Sequence, residues 1–197
     1  THYFVGGSVT PISLPPNSEI QPQLAIERLK NAATIQIIVN PGYKAGDLLR
    51  FQVDIKNTGC GHYLPTGLTE MRQMWLKVSV TDADGKLVYK VGDVDEKGNI
   101  DDNAIIYHTV FGNEKGEPTL HVWTATHVIS DNRIPPKGTK EERFVCQIPT
   151  DIKPPLKVET VLQYRSAPQN VVDILLGEKT IKLPIIEMTN ASTELSL

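Results

Sequence analysis

Between Leu48 and Asn57 the chain reads LLRFQVDIKN, in which Phe51, Val53 and Ile55 alternate with Gln52, Asp54 and Lys56. A period of two sends the apolar set to one face of an extended strand and the polar set to the other. Such a segment must lie half-buried in a sheet that is dry on one side and wet on the other, as antiparallel sheets are. The pattern recurs in MWLKVSVTDADGKLVYKVG, where Asp84-Gly85 supplies a hairpin turn. TIQIIVN is a further strand, ended by Pro41-Gly42, and EPTLHVWTATHVI, KEERFVCQIP, LKVETVLQYRS and KTIKLPIIEM complete the set. With 14 glycines and 14 prolines dividing these runs, the pattern predicts an all-β fold, an antiparallel immunoglobulin- or fibronectin-like β-sandwich.

The sandwich is expected over residues 34–197, with other textures at its start. Residues 1–20 read as an extended N-terminal arm, and 21–33 as one short helix. Asn17 or Ser18 is placed to cap that helix, and Leu24, Ala25, Leu29 and Ala32 or Ala33 recur at helical spacing. Gly92 to Pro118 is expected to be a decorated loop, and QNVVDILLG a short helix or a looped edge. A chain of 197 residues with 40% hydrophobic content supports one core. A net charge of -3 with scattered Lys and Arg argues against a nucleic-acid partner, which needs a clustered basic face. No apolar run is long enough for a transmembrane segment. No export leader opens the sequence, so any signal is expected upstream or already cleaved.

Chemistry-bearing residues concentrate in VDIKNTGCGHYLPTG, Val53 to Gly67, where Cys60 and His62 stand in a glycine-flanked loop. The chain's two cysteines, Cys60 here and Cys146 far along, allow a single disulfide. Alternatively, Cys146 fills a core position in RFVCQIP, as small buried thiols do. A covalently attached haem needs Cys-x-x-Cys-His, which this chain lacks, and no close cysteine pair suggests structural zinc. His121 and His127 would share a strand face yet lie roughly 20 Å apart, too far for a common metal. His108 reads as ordinary packing. His62 reads either as part of a rigid corner or as a ligand presented to a partner. Asp93, Asp95, Asn99 and Asp101 in DVDEKGNIDDN imitate the start of a calcium loop. Lys97 and Ala104 then stand where ligands are required, so a solvated acidic turn competes with weak calcium binding. No Gly-x-Ser-x-Gly elbow or phosphate-cradling loop occurs, which leaves a Cys60–His62 nucleophile couple as the one catalytic arrangement and a catalytic site of any kind not expected.

NTGCGHYLPTG resembles the Asn-x-Gly-Ala-Gly-His-x-x-Pro-Thr-Gly signature of the haem-free C-terminal region of exported multihaem c-type cytochromes. The resemblance continues through MRQMWLKVSVTDADGKLVYKVG and through the Trp segment VWTATHVISDNRIPP. THYFVGGS is similar to the His-x-Phe-x-Gly-Gly element that follows the last haem motifs in that family. Cys60 stands where the pattern has alanine. The resemblance implies an accessory domain or subunit in the periplasm, at the cell surface or outside the cell. Its partner would be a haem-bearing cytochrome domain or subunit, in a homo- or hetero-oligomer, and its cofactor a haem c bound covalently elsewhere. His2 and His62 are the candidate axial ligands to that iron, with His2 preferred because its arm would follow directly from a haem domain. The alternatives are an extracytoplasmic fibronectin-like binding or assembly module, calcium-stabilised or not, and a hydrolase or redox enzyme using Cys60 and His62.

Overall fold

The computed structural model describes residues 20–197; the arm and His2 lie outside the described residues. Helix α1 (Ile20–Lys30) opens the described chain, followed by β1 (Ala33–Val39), β2 (Leu48–Asn57), β3 (Gln73–Thr81) and β4 (Leu87–Val91). Short strands β5 (Ile106–Tyr107), β6 (Thr109–Gly112) and β7 (Pro118–Thr119) come next, then β8 (His127–Asp131) and β9 (Thr139–Gln147). The chain closes with β10 (Leu156–Arg165), α2 (Gln169–Leu176) and β11 (Ile186–Leu195).

The strands form a β-sandwich in which every pairing is antiparallel. One sheet has the order β1-β2-β9, and the facing sheet β11-β10-β3-β4, with β5 extending the pairing of β3. The alternation of β2 is realised residue by residue: Leu49, Phe51, Val53 and Ile55 are buried, and Arg50 and Lys56 are exposed. They meet Met74, Leu76, Val78 and Val80 of β3 and Leu156, Val158 and Leu162 of β10 in one core. Phe51 stacks on Phe144 across the β2–β9 ladder at 5.3 Å between centroids, and Tyr89 of β4 meets Phe144 edge-on at 6.5 Å. That second contact ties the two sheets along one side of the sandwich.

Several elements depart from the sequence expectation. Trp75 breaks the alternation of β3, since it is 0% exposed on the face opposite the core. Its indole N–H donates to the Gly92 carbonyl at 3.0 Å, and the Arg165 guanidinium lies 5.9 Å from its ring centroid. The segment after Gly92 therefore covers this outer face, and β5 and β6 lie within what reads as a loop, with β7 beginning at its last residue. EPTLHVWTATHVI is not one strand: β7 and β8 flank a 3-10 turn at Val122–Thr124, and both pair with β6 in a small third sheet. KTIKLPIIEM contributes only its end to β11. Residues before it are held on α2, where the Gln169 amide donates to Ile181 O at 2.8 Å and accepts from the Leu183 N–H at 3.0 Å.

Candidate functional site

The loop after β2 is built on Asn57, which is 0% exposed. Its side-chain amide donates to His62 O at 2.9 Å and Ile134 O at 3.3 Å, while its carbonyl accepts the Cys60 N–H at 3.1 Å. The loop is also fixed to the end of α1, because the Thr58 and Gly59 N–H groups both donate to Ala32 O, at 3.2 and 3.0 Å. Farther on, Leu64 and Ile134 exchange two backbone hydrogen bonds of 2.8 Å. The two segments GCGHYLPTG and SDNRIPP, far apart in sequence, thus meet at one end of the sandwich.

Side chains reinforce that meeting. Arg133 donates to both carboxylate oxygens of Asp131, at 2.8 and 2.7 Å, and its guanidinium lies 5.1 Å from the Tyr63 ring centroid. The paired Arg133 holds the Asp131 carboxyl below the usual range. Asn132 donates to Ile106 O at 3.1 Å and accepts from the Lys140 ammonium at 2.9 Å, which brings the β5 segment to the same end. Sequence reasoning missed Asn57, Tyr63 and Arg133 as organisers. Their partners come from across the chain, and no local spacing announces them.

His62 is exposed, and its Nδ1 lies 2.8 Å from Tyr63 O. A carbonyl oxygen only accepts, so Nδ1 is the donor in this contact. No described residue bonds Nε2. Beside it, α1 and the loop enclose a groove of about 630 Å³ whose apolar walls include Leu24, Ala25, Leu29 and Leu64, with Tyr164, Cys60 and His62 also lining it. Burial pushes the Cys60 thiol up, so it stays protonated near neutral pH.

Cys60 and Cys146 are both free, and the disulfide is not formed. Cys146 pairs with Leu49 near the start of β2, whereas Cys60 follows Asn57 at its end. The strand between Leu49 and Asn57 spans about 26 Å at roughly 3.3 Å per residue, far beyond disulfide reach. Burial instead makes Cys146 a core thiol with its pKa pushed up to about 11.

The other described histidines have different surroundings. His108 is half-buried, and burial lowers its pKa. His121 stacks on Trp123 at 4.8 Å. The His127 ring packs on Gly112, where an added Cβ would lie 2.4 Å from Nε2. In the acidic turn the Asp93 carboxylate meets the Lys77 and Lys90 ammonium groups at 2.8 and 2.9 Å. Asp95 accepts from the Asn99 backbone and side chain at 2.7 and 2.9 Å, and Asp101 accepts from the Asn103 N–H at 2.9 Å. Asp93, Asp95, Asn99 and Asp101 are thus engaged with their own partners rather than converging. Among the described residues, no group of three or more His, Cys, Asp or Glu side chains is placed to hold a metal ion.

The chain is similar in fold to a penta-heme cytochrome c552 from Thermochromatium tepidum, with 20% identity and a TM-score of 0.56 over 85% of this chain. That match covers 41% of the cytochrome, so the chain spans about two fifths of its length. A CARDB domain from Pyrococcus furiosus is also similar, at 14% identity and a TM-score of 0.38, covering 84% of this chain and 93% of that one. No family model matches the chain, and no curated protein sequence does.

Proposed function

We propose that this chain is a haem-free domain or subunit of an extracytoplasmic multihaem c-type cytochrome, docked against haems carried elsewhere in support of electron transfer. The observation that carries this reading is the convergence at one end of the sandwich. The loops that bear the cytochrome-like signature join each other there and join the helix that continues from the arm. The fold likeness to a penta-heme cytochrome is consistent with the reading. Among the described residues, no helix is long and apolar enough to cross a membrane. The periplasm, the cell surface and the exterior are the proposed locations. The proposed role is covering, docking and ligation; burial raises the Cys60 thiol pKa, which disfavours a thiolate nucleophile at that position.

His2 is proposed as an axial ligand through the arm. In the assembly isolated from its native extracytoplasmic fraction, denaturing gels stained for haem should show a covalently haem-bearing polypeptide with this chain. His2→Ala should then change the spectrum or potential of one haem and leave the sandwich folded, because axial-ligand identity is a main lever on iron redox chemistry. If every haem keeps its low-spin spectrum and potential, the His2 assignment is wrong and a covering role remains. An assembly without c-type haem would overturn the reading itself. It would favour a binding or assembly module using exposed apolar residues such as Trp123, which is 78% exposed, with Val122 and Val128 also exposed.

A further inference from the structure

We infer that the groove between α1 and the loop after β2 binds a small neutral molecule with an apolar body and a carbonyl group, which accepts a hydrogen bond from the Tyr164 hydroxyl. This goes beyond the proposed docking to haems and does not rest on it. Tyr164 lies near the end of β10 on its buried, inward face, which it shares with Leu156, Val158 and Leu162, and it is 3% exposed. Its side chain lines the groove, yet no described residue hydrogen-bonds the hydroxyl. Native proteins pair the large majority of their buried polar groups, because leaving one alone is costly. An unpartnered hydroxyl at the border of a cavity therefore offers its hydrogen bond to whatever enters.

The groove fits such an occupant in size and in chemistry. Its volume of about 630 Å³ falls within the roughly 300–1,000 Å³ usual for small-molecule sites. Leu24 and Leu29 of α1 and Leu64 of the loop supply apolar lining, against which a hydrocarbon body loses its water. Burial raises the pKa of both Tyr164 and Cys60, so the phenol is a neutral donor and the thiol a weaker one. A carbonyl is a neutral head that accepts from such groups. Glu27 and Arg28 contribute one charge of each sign to the lining, and Arg28 has a partner of its own, so nothing there selects an ionic head. An apolar side chain from a docked protein would leave the phenol unpaired.

The probes are indanone and indane, the same bicycle with and without a carbonyl. In the full chain carrying labelled leucine methyl groups, indanone should shift the resonances of Leu24, Leu29 and Leu64. A Kd on the order of 1 mM is expected of a ligand of about ten heavy atoms. Tyr164→Phe should weaken indanone by about two- to tenfold, the range of one net hydrogen bond, and leave indane unchanged. Leu24→Arg, at a half-buried groove position, should weaken both.

Tyr164→Phe also tests the premise without any ligand. A hydroxyl with no protein partner loses nothing when removed, so the melting temperature should be unchanged or higher. A lower melting temperature would mean that the hydroxyl is already paired within the protein, and would overturn the inference. Equal binding of indanone by the wild-type chain and Tyr164→Phe would overturn it too, as would equal weakening of both probes by that substitution. Shifts absent from all three leucines would also overturn it and leave the groove to a polypeptide partner.

Discussion

Replacing Gly59 by alanine should unfasten the loop from α1, and Gly61, two residues on, provides the internal control. A Cβ on Gly59 would lie 2.0 Å from Asn31 O, 2.9 Å from Asn31 C and 3.2 Å from Ala32 Cα. All three obstacles are backbone atoms, so no side chain can rotate aside. Gly59 has no positive φ, so the penalty is steric rather than conformational. Relief requires either breaking the two bonds to Ala32 O, at a net 0.5–1.5 kcal/mol each, or keeping them under strain that costs about 1–3 kcal/mol. Both routes give a loss of about 1–3 kcal/mol. In a chain of this size that lowers the melting temperature by roughly 2–12 °C. Gly61→Ala meets nothing within 4 Å and should fall within about 0.5 kcal/mol of wild type or slightly above it. Urea denaturation followed by tryptophan fluorescence reads the difference through buried Trp75, with an unchanged m-value for both variants. Equal midpoints for the two substitutions would refute the close approach of loop and helix on which the site geometry rests.

Asn57→Ala should cost about 2–4 kcal/mol in the same assay, since it removes three hydrogen bonds and takes the partner from the Cys60 N–H and His62 O, while Ile134 O keeps only the Leu64 N–H. Under denaturing, non-reducing conditions, alkylation followed by mass measurement should find two labelled thiols; in the native protein half-buried Cys60 should react before Cys146, whose raised pKa leaves little thiolate at pH 8. Bonds from Lys77 and Lys90 lower the Asp93 pKa, so its contribution is present above the unfolded value near 3.9 and disappears as pH falls through the folded one. Because the pair is well exposed, that contribution is below about 1 kcal/mol, and Asp93→Asn should remove it near neutral pH and flatten the acid limb of stability, the difference from wild type vanishing only below the lowered folded pKa.

The sandwich was legible in the sequence wherever one face alone is buried. Phe51, Val53 and Ile55 announce the inner face of β2, and Asp84-Gly85 announces the hairpin between β3 and β4. Reading failed where a second layer covers a strand or where a strand carries few apolar residues. Trp75 spoils the alternation because the Gly92 segment buries it from outside. Most of β11 went unseen because Thr189, Asn190, Thr193 and Glu194 occupy positions without an apolar signal, while its pairing with β10 supplies the order. In the candidate site, the importance of the glycine-flanked loop was visible from Cys60 and His62. The Leu64–Ile134 pairing and the Arg133–Tyr63 contact depend on tertiary neighbours and were not.

The shared carbonyl of Ala32 also governs how the protein breathes. Two loop amides, Thr58 and Gly59, end on an acceptor that belongs to the exit of α1. Hydrogen exchange at both should therefore track the lifting of the helix end rather than local motion of the loop. A partner that presses on the groove would slow exchange at these two amides together, giving a docking signal that needs no chromophore on either molecule.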